Sequence, residues 1–230
     1  GTAHGLATKR HTIVGNQVGE ASFPYEGFGS TIVAGDFNGD GYADIAAGVP
    51  GGKQSGADKH PGNVLALFGG PHGLSKDDVQ RFDEHMAYSG SSDDDSFGTT
   101  IAAGDITGDG YTDLVVDAPD VKVDGHPSAG AVYLVHGSPD GLTATDDQRF
   151  TQSSTGIPGT AAKDDAFGTA LYVGDFTGGA HLDVAIGTPL HKSWKGYVVG
   201  LRGTANGVTT AGATSVASQA KNAMFGSAIG

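Results

Sequence analysis

Four segments of this 230-residue chain open alike, with Phe28-Gly29-Ser30, Phe97-Gly98-Thr99, Phe167-Gly168-Thr169 and Phe225-Gly226-Ser227. The first three run on in parallel as FGSTIVAGDFNGDGYADIAAGVP, FGTTIAAGDITGDGYTDLVVDAP and FGTALYVGDFTGGAHLDVAIGTP. Their starts lie 69 and 70 residues apart, and the fourth follows 58 later. Behind each comes a second shared block: GNVLALFGGPHGL from Gly62, GAVYLVHGSPDGL from Gly130 and GYVVGLRGTANGV from Gly196. Two blocks aligned three times over define a repeat. A unit of this length buries its apolar faces only by stacking on its neighbours.

Each repeat reads as four short strands between turns rich in Gly, Pro and Asp. The first follows Phe-Gly, as Thr31 to Gly35, and an Asp/Gly loop leads to the second, Asp44 to Gly48, which a proline ends. The third alternates around Val64, Leu65 and Leu67, or Val132 to Val135. The fourth is more polar, as Gln80 to His85 and Gln148 to Thr151. No helical period persists over 11 residues. The expected fold is therefore all-β, a β-propeller of four-stranded blades. Blades are expected over 28–96, 97–166 and 167–224, with 225–230 opening a further one. Arg10 and Arg149 each stand 18 residues before a Phe-Gly pair, so 1–27 reads as the outer strand of a preceding or closing blade. Rings close with about 4–8 blades. The missing ones are expected from further sequence or from another chain.

The loop between the first two strands carries the chemistry. In the first repeat Asp36, Asn38, Asp40 and Asp44 stand at positions 1, 3, 5 and 9, with Gly41 at 6 and the Tyr42 carbonyl at 7. Oxygen ligands from one tight turn suit Ca²⁺, which takes six to eight of them. An EF-hand would need a glutamate at position 12 and flanking helices; here Ala47 and strands stand there. The second repeat keeps the pattern in Asp105, Thr107, Asp109, Tyr111 and Asp113. The third retains Asp175, Thr177 and Asp183 but loses the acid at position 5 to Gly179, so it is expected to bind weakly or stay empty. Asp-Gly sequences also form plain turns. Three carboxylates within nine residues, however, repel one another without a cation.

These residues resemble FG-GAP repeats, the blades of integrin α-subunit propellers and of many bacterial secreted proteins. Phe-Gly opens each repeat, D-x-[NT]-G-D-G-x-x-D follows twice, and Gly48-Val49-Pro50, Asp117-Ala118-Pro119 and Gly187-Thr188-Pro189 occupy the Gly-Ala-Pro position. The departures are Asp117 for glycine, Val49 and Thr188 for alanine, and the broken third loop. The resemblance implies a seven-bladed, extracellular propeller with calcium rigidifying loops on one face. It carries the ligand role over to the ten residues named in loops one and two. Two functions suit such a chain: a non-enzymatic module binding a protein or glycan, or an accessory or catalytic propeller of a secreted hydrolase. The fold does not choose between them.

Composition narrows the partners. A net charge of -13 and a pI near 4.8 argue against nucleic acid. No apolar run reaches the ~18 residues of a membrane span. Forty glycines without a triplet period exclude collagen, and the absence of cysteine excludes disulfides and thiolate metal sites. Neither G-x-S-x-G nor a P-loop occurs, since Gly52-Lys53 is followed by Gln54. His60, His72, His126 and His191 fall in polar connections and read as solvated, as do the acid clusters Asp77-Asp78, Asp93 to Asp95, Asp146-Asp147 and Asp164-Asp165. His136 reads as packed at a strand end, and Trp194 as a surface aromatic available for stacking.

Overall fold

The Phe-Gly repeats fold into three separate four-stranded antiparallel sheets in the computed structural model, which describes residues 27–51, 62–75, 78–88, 95–220 and 222–229. The first sheet is β1 (Ile32–Gly35), β2 (Asp44–Val49), β3 (Asn63–Leu67) and β4 (Val79–Phe82), paired in chain order. The second is β5 (Ile101–Gly104), β6 (Asp113–Ala118), β7 (Ala131–His136) and β8 (Thr143–Phe150). The third is β9 (Ala170–Gly174), β10 (Asp183–Thr188), β11 (Tyr197–Thr204) and β12 (Gly207–Ala217). These are propeller blades, and three of them do not close a ring. The outer strand expected within 1–27 lies outside the described residues. Among the described residues no helix is long and apolar enough to cross a membrane.

β6 and β7 are buried on both faces because the second blade is sandwiched between the other two, and the pleat sends alternate residues to opposite neighbours. From β6, Leu114, Val116 and Ala118 join a core with Ala46, Val64, Ala66 and Phe82 of the first blade. Val115, between them, joins Leu171, Val184 and Ile186 of the third. Tyr133 and Val135 of β7 face one seam, and Val132 and Leu134 the other. A one-residue slip of either strand would exchange the two faces.

Phe-Gly starts each seam. Phe97 and Phe167 are completely buried between blades. Phe97 bridges Gly62 of the preceding blade in parallel, the Phe167 amide donates to Ala129 O at 2.9 Å, and Phe225 repeats the bridge to Gly196. The glycine after each Phe has positive φ, and in the three blades its amide donates two residues before the segment's proline, Gly29 to Gly48 O, Gly98 to Asp117 O and Gly168 to Gly187 O. A Cβ on Gly48 or Gly187 would overlap the carbonyl oxygen of Gly98 or Gly226 in the next blade. Asp117 stands at this position in the second blade and is fully buried. Its carboxylate accepts the Thr100 amide at 2.5 Å, and burial pushes its pKa well up.

The fourth strand of the first blade ends earlier than expected. After Phe82 the Asp83 carboxylate caps the Met86 amide at 3.2 Å, so Glu84–Ala87 forms one helical turn instead of continuing the strand to His85. The turn carries Glu84 into the seam, where it is wholly buried.

Candidate functional site

The Asp loops lie at one end of the sheets, between first and second strands. Asp44 and Asp113, at position 9, open β2 and β6 and are completely buried. Asp44 accepts the Phe37 amide at 2.8 Å and the Gly69 amide at 2.7 Å, which staples its loop to the turn after β3. Burial raises its pKa against those hydrogen bonds, with Asp40 and Asp36 adding to the rise. Asp113 accepts from Ile106 at 2.9 Å and Gly137 at 3.2 Å, and His136 packs beside it with Nδ1 at 3.3 Å. His136 is thus packed at its strand end, as its sequence position implies.

The acid at position 1 gathers the turn. Asp36 accepts the amides of Asp40 at 3.1 Å and Gly41 at 2.9 Å. Asp105 accepts those of Gly108 at 2.7 Å and Gly110 at 3.1 Å. Asp40 and Asp109 each accept the amide two residues on, from Tyr42 and Tyr111, at 2.9 Å. Asn38 bonds Asp40 through both its amide atoms. The third loop keeps the staple, with Asp183 taking the amides of Phe176, Thr177 and Gly203. It keeps the position-1 contact too, from Gly178 to Asp175 at 2.6 Å, but without an acid at position 5.

Among the described residues no three His, Cys, Asp or Glu side chains are grouped as for a metal ion. The donor set nevertheless fits a hard cation in loop two. Thr107 is buried, and its Oγ1 has no hydrogen-bond partner at the position where the motif requires a neutral oxygen. Thr177, its counterpart in loop three, is exposed.

Neighbouring loops are clamped together. The Asp36 amide donates to Thr112 Oγ1 at 3.0 Å, and Thr112 returns its amide to Asp36 O at 2.8 Å. Tyr111 lies so close over Gly39 that a Cβ there would sit 2.5 Å from its ring. His181 covers Gly108 in the same way, at 3.2 Å.

The opposite end of the sheets holds polar cells that sequence reading missed. In the first seam Tyr133 donates its hydroxyl proton to Glu84, and Arg149 Nε donates to the Tyr133 oxygen at 3.0 Å. The second seam joins Asp165 to His191 Nδ1 at 2.6 Å and to Gln152 Nε2 at 2.9 Å. Asp95, Asp165 and His191 are therefore buried, not solvated, because they stand where one blade passes to the next. The signal was present: Asp95 and Asp165 each precede their Phe-Gly by two residues, and Glu84 and Gln152 each follow an outer-strand Phe by two. His72 and His126 are exposed, and Trp194 is exposed with positive φ in the helical turn His191–Trp194.

Burial pushes the Glu84 carboxyl up to about 8, against the Tyr133 hydrogen bond and the Arg149 charge, while Asp95 adds to the rise. The folded state then holds a proton that the unfolded chain, with a carboxyl near 4.5, releases. Stability therefore falls as pH rises from about 4.5 to about 8. Glu84→Gln keeps the neutral shape and should flatten this fall, read as urea midpoints at pH 5 and pH 8.5. Asp147, raised to about 7 by burial, should leave a residual slope of the same sign. A variant with the wild-type slope would show that Glu84 does not carry the effect.

Stacked four-stranded sheets, Phe-Gly seams and repeated Asp loops define an FG-GAP β-propeller. The FG-GAP repeat model matches residues 28–65 and 97–135, the segments whose loops hold three carboxylates. The chain carries FG-GAP repeats and is similar to integrin α-subunits. It is 32% identical to integrin alpha pat-2 of Caenorhabditis briggsae over 199 residues, 81% of this chain and 15% of the relative. Integrin alpha-PS2 of Drosophila melanogaster is 32% identical over 183 residues, 76% of this chain and 12% of the relative. Phosphatidylinositol-glycan-specific phospholipase D of Bos taurus is 33% identical over 172 residues, 73% and 19% respectively. The chain thus matches under a fifth of each relative's length.

Proposed function

We propose that this chain is a non-enzymatic, extracellular, calcium-stabilised module that binds a protein or glycan partner, its repeats 28–96, 97–166 and 167–224 serving as blades of a seven-bladed ring. The observation that carries the reading is the integrin α likeness across four-fifths of the chain. Integrin-like blades make a rigid scaffold whose connecting loops are free to vary and to bind.

Calcium in this reading is structural. Asp36, Asn38, Asp40, Tyr42 and Asp44 would hold one ion, and Asp105, Thr107, Asp109, Tyr111 and Asp113 a second. Asp175, Thr177 and Asp183 would hold a third weakly or not at all. The ion supplies charge neutralisation for three carboxylates and stabilises the native state by binding it alone. At a free concentration 100-fold above Kd, one site contributes about 2.7 kcal/mol, or roughly 5–10 °C in Tm for a domain this size. Calorimetric titration should find two equivalents of calcium, and excess EDTA, which strips both sites, should lower Tm by about twice that amount. Asp109→Asn should remove one equivalent. An unchanged melt in EDTA would sink the calcium reading.

The likeness to a phospholipase D favours a second reading, that of an accessory or catalytic propeller in a secreted hydrolase. Calcium-dependent retention on immobilised matrix proteins or glycans supports the first. Turnover of a phosphodiester by this chain would replace it with the second.

A further inference from the structure

The first seam opens, at the end opposite the Asp loops, into a cavity of about 420 Å³. That volume is in the range of small-molecule sites. Its lining is polar, and two of its side chains are incompletely used.

Arg149 is one of them. It is half-buried, with its guanidinium carbon 4.5 Å from the Tyr88 ring centroid and its Nε spent on Tyr133. Arg149 is in none of the ion pairs that join His136 to Asp113, Lys163 to Asp164 and His191 to Asp165. Stacking and the Nε bond fix the plane of the guanidinium, and Arg149 lines the cavity. The fixed fork matches a planar carboxylate.

Glu84 is the other. It is wholly buried and lines the same cavity; Oε1 takes the Tyr133 proton while Oε2 has no hydrogen-bond partner. Burial raises its pKa to about 8, so it carries an O–H that Asp95, beside it, or a ligand in the cavity can accept. The rim adds Thr151, Ser153 and Ser154. The Thr151 and Ser154 hydroxyl oxygens accept backbone amides from Ser153 and Thr151, which leaves their protons available to a ligand. Hydroxyl groups beside a carboxylate would meet this set.

We propose that this cavity binds a small hydroxylated carboxylic acid, its carboxylate on the Arg149 fork and its hydroxyl groups on Glu84 and the Thr151–Ser154 rim. A monoanion fits better than a phosphate dianion, because Asp95 and Asp124 also border the space. The net charge of -13 opposes any long polyanion. The site is separate from the Asp loops and stands whether or not they bind calcium.

Glucuronate is a suitable probe, with glucose supplying hydroxyls alone, acetate the carboxylate alone, and inorganic phosphate a competing anion. Calorimetric titration of the full chain should show glucuronate binding at least tenfold tighter than any of the other three. Arg149→Gln should weaken it tenfold or more, and Arg149→Lys, which keeps the charge without the fork, nearly as much. Should those variants fold poorly, NMR of the unaltered protein decides: glucuronate should shift the Arg149 Nε–H and Ser153 amide resonances. Shifts confined to other residues, equal binding of glucose or phosphate, tighter binding of an acidic peptide, or wild-type affinity in a folded Arg149→Gln would each overturn the proposal.

Discussion

Phe97→Ala should cost about 3–5 kcal/mol, the range for deleting a fully buried aromatic side chain. Against a total of about 5–15 kcal/mol for a folded domain, that is a large share. Phe97 has no exposed surface. Its ring lies 5.5 Å from Tyr133 in an edge-on arrangement and 6.4 Å from Phe82, so it joins two blades rather than filling one. The repeat supplies its own control. Phe225 opens its segment with the same Phe-Gly pair but has no following blade among the described residues to cover it and is 39% exposed, so in this chain Phe225→Ala should cost well under half as much. Urea denaturation of the two variants measures both. Equal losses would mean that the phenylalanine acts locally in its turn and not as the key between blades.

The second large effect is expected at Gly48. Its φ is ordinary, so backbone strain plays no part and only space matters. A methyl group there overlaps the Gly98 carbonyl of the next blade and comes within 2.5 Å of Thr31 Cγ2. Because the first obstacle is backbone, relief requires the two blades to move apart. Gly48→Ala should therefore cost near the top of the roughly 1–3 kcal/mol range for overpacking. Gly70→Ala is the matched control, since its nearest neighbour would be 4.0 Å away. If both variants melt alike, seam contact at Gly48 is not limiting. Asp117 shows how a seam accommodates a side chain at this position: a Cβ on Gly168 would meet Asp117 Cβ at 2.9 Å, and the carboxyl is held by the Thr100 amide.

What could be read in advance had short range along the chain. The Asp loops span nine residues, so their oxygen donors and their kinship were visible as a spacing. The strands that border them were visible as alternation between turns. The seam cells were not, because Glu84, in the turn after β4 of the first blade, meets Tyr133 and Arg149, which pair across β7 and β8 of the second. Polarity also misled where burial was in question. Asp95, Asp165 and His191 read as solvated loop residues, yet each is more than nine-tenths buried. Asp83 ended β4 early through a capping bond that the alternating pattern concealed.

The sequence by itself determined the repeat, the all-β blade and the acid-rich loops, because periodicity and nine-residue spacing are local properties of a chain. Only the tertiary structure decided which of the equivalent residues are buried. Packing one blade on the next desolvates whatever stands at the seam, so Phe97 became a key between two blades and Glu84 was buried against Tyr133 beside Arg149.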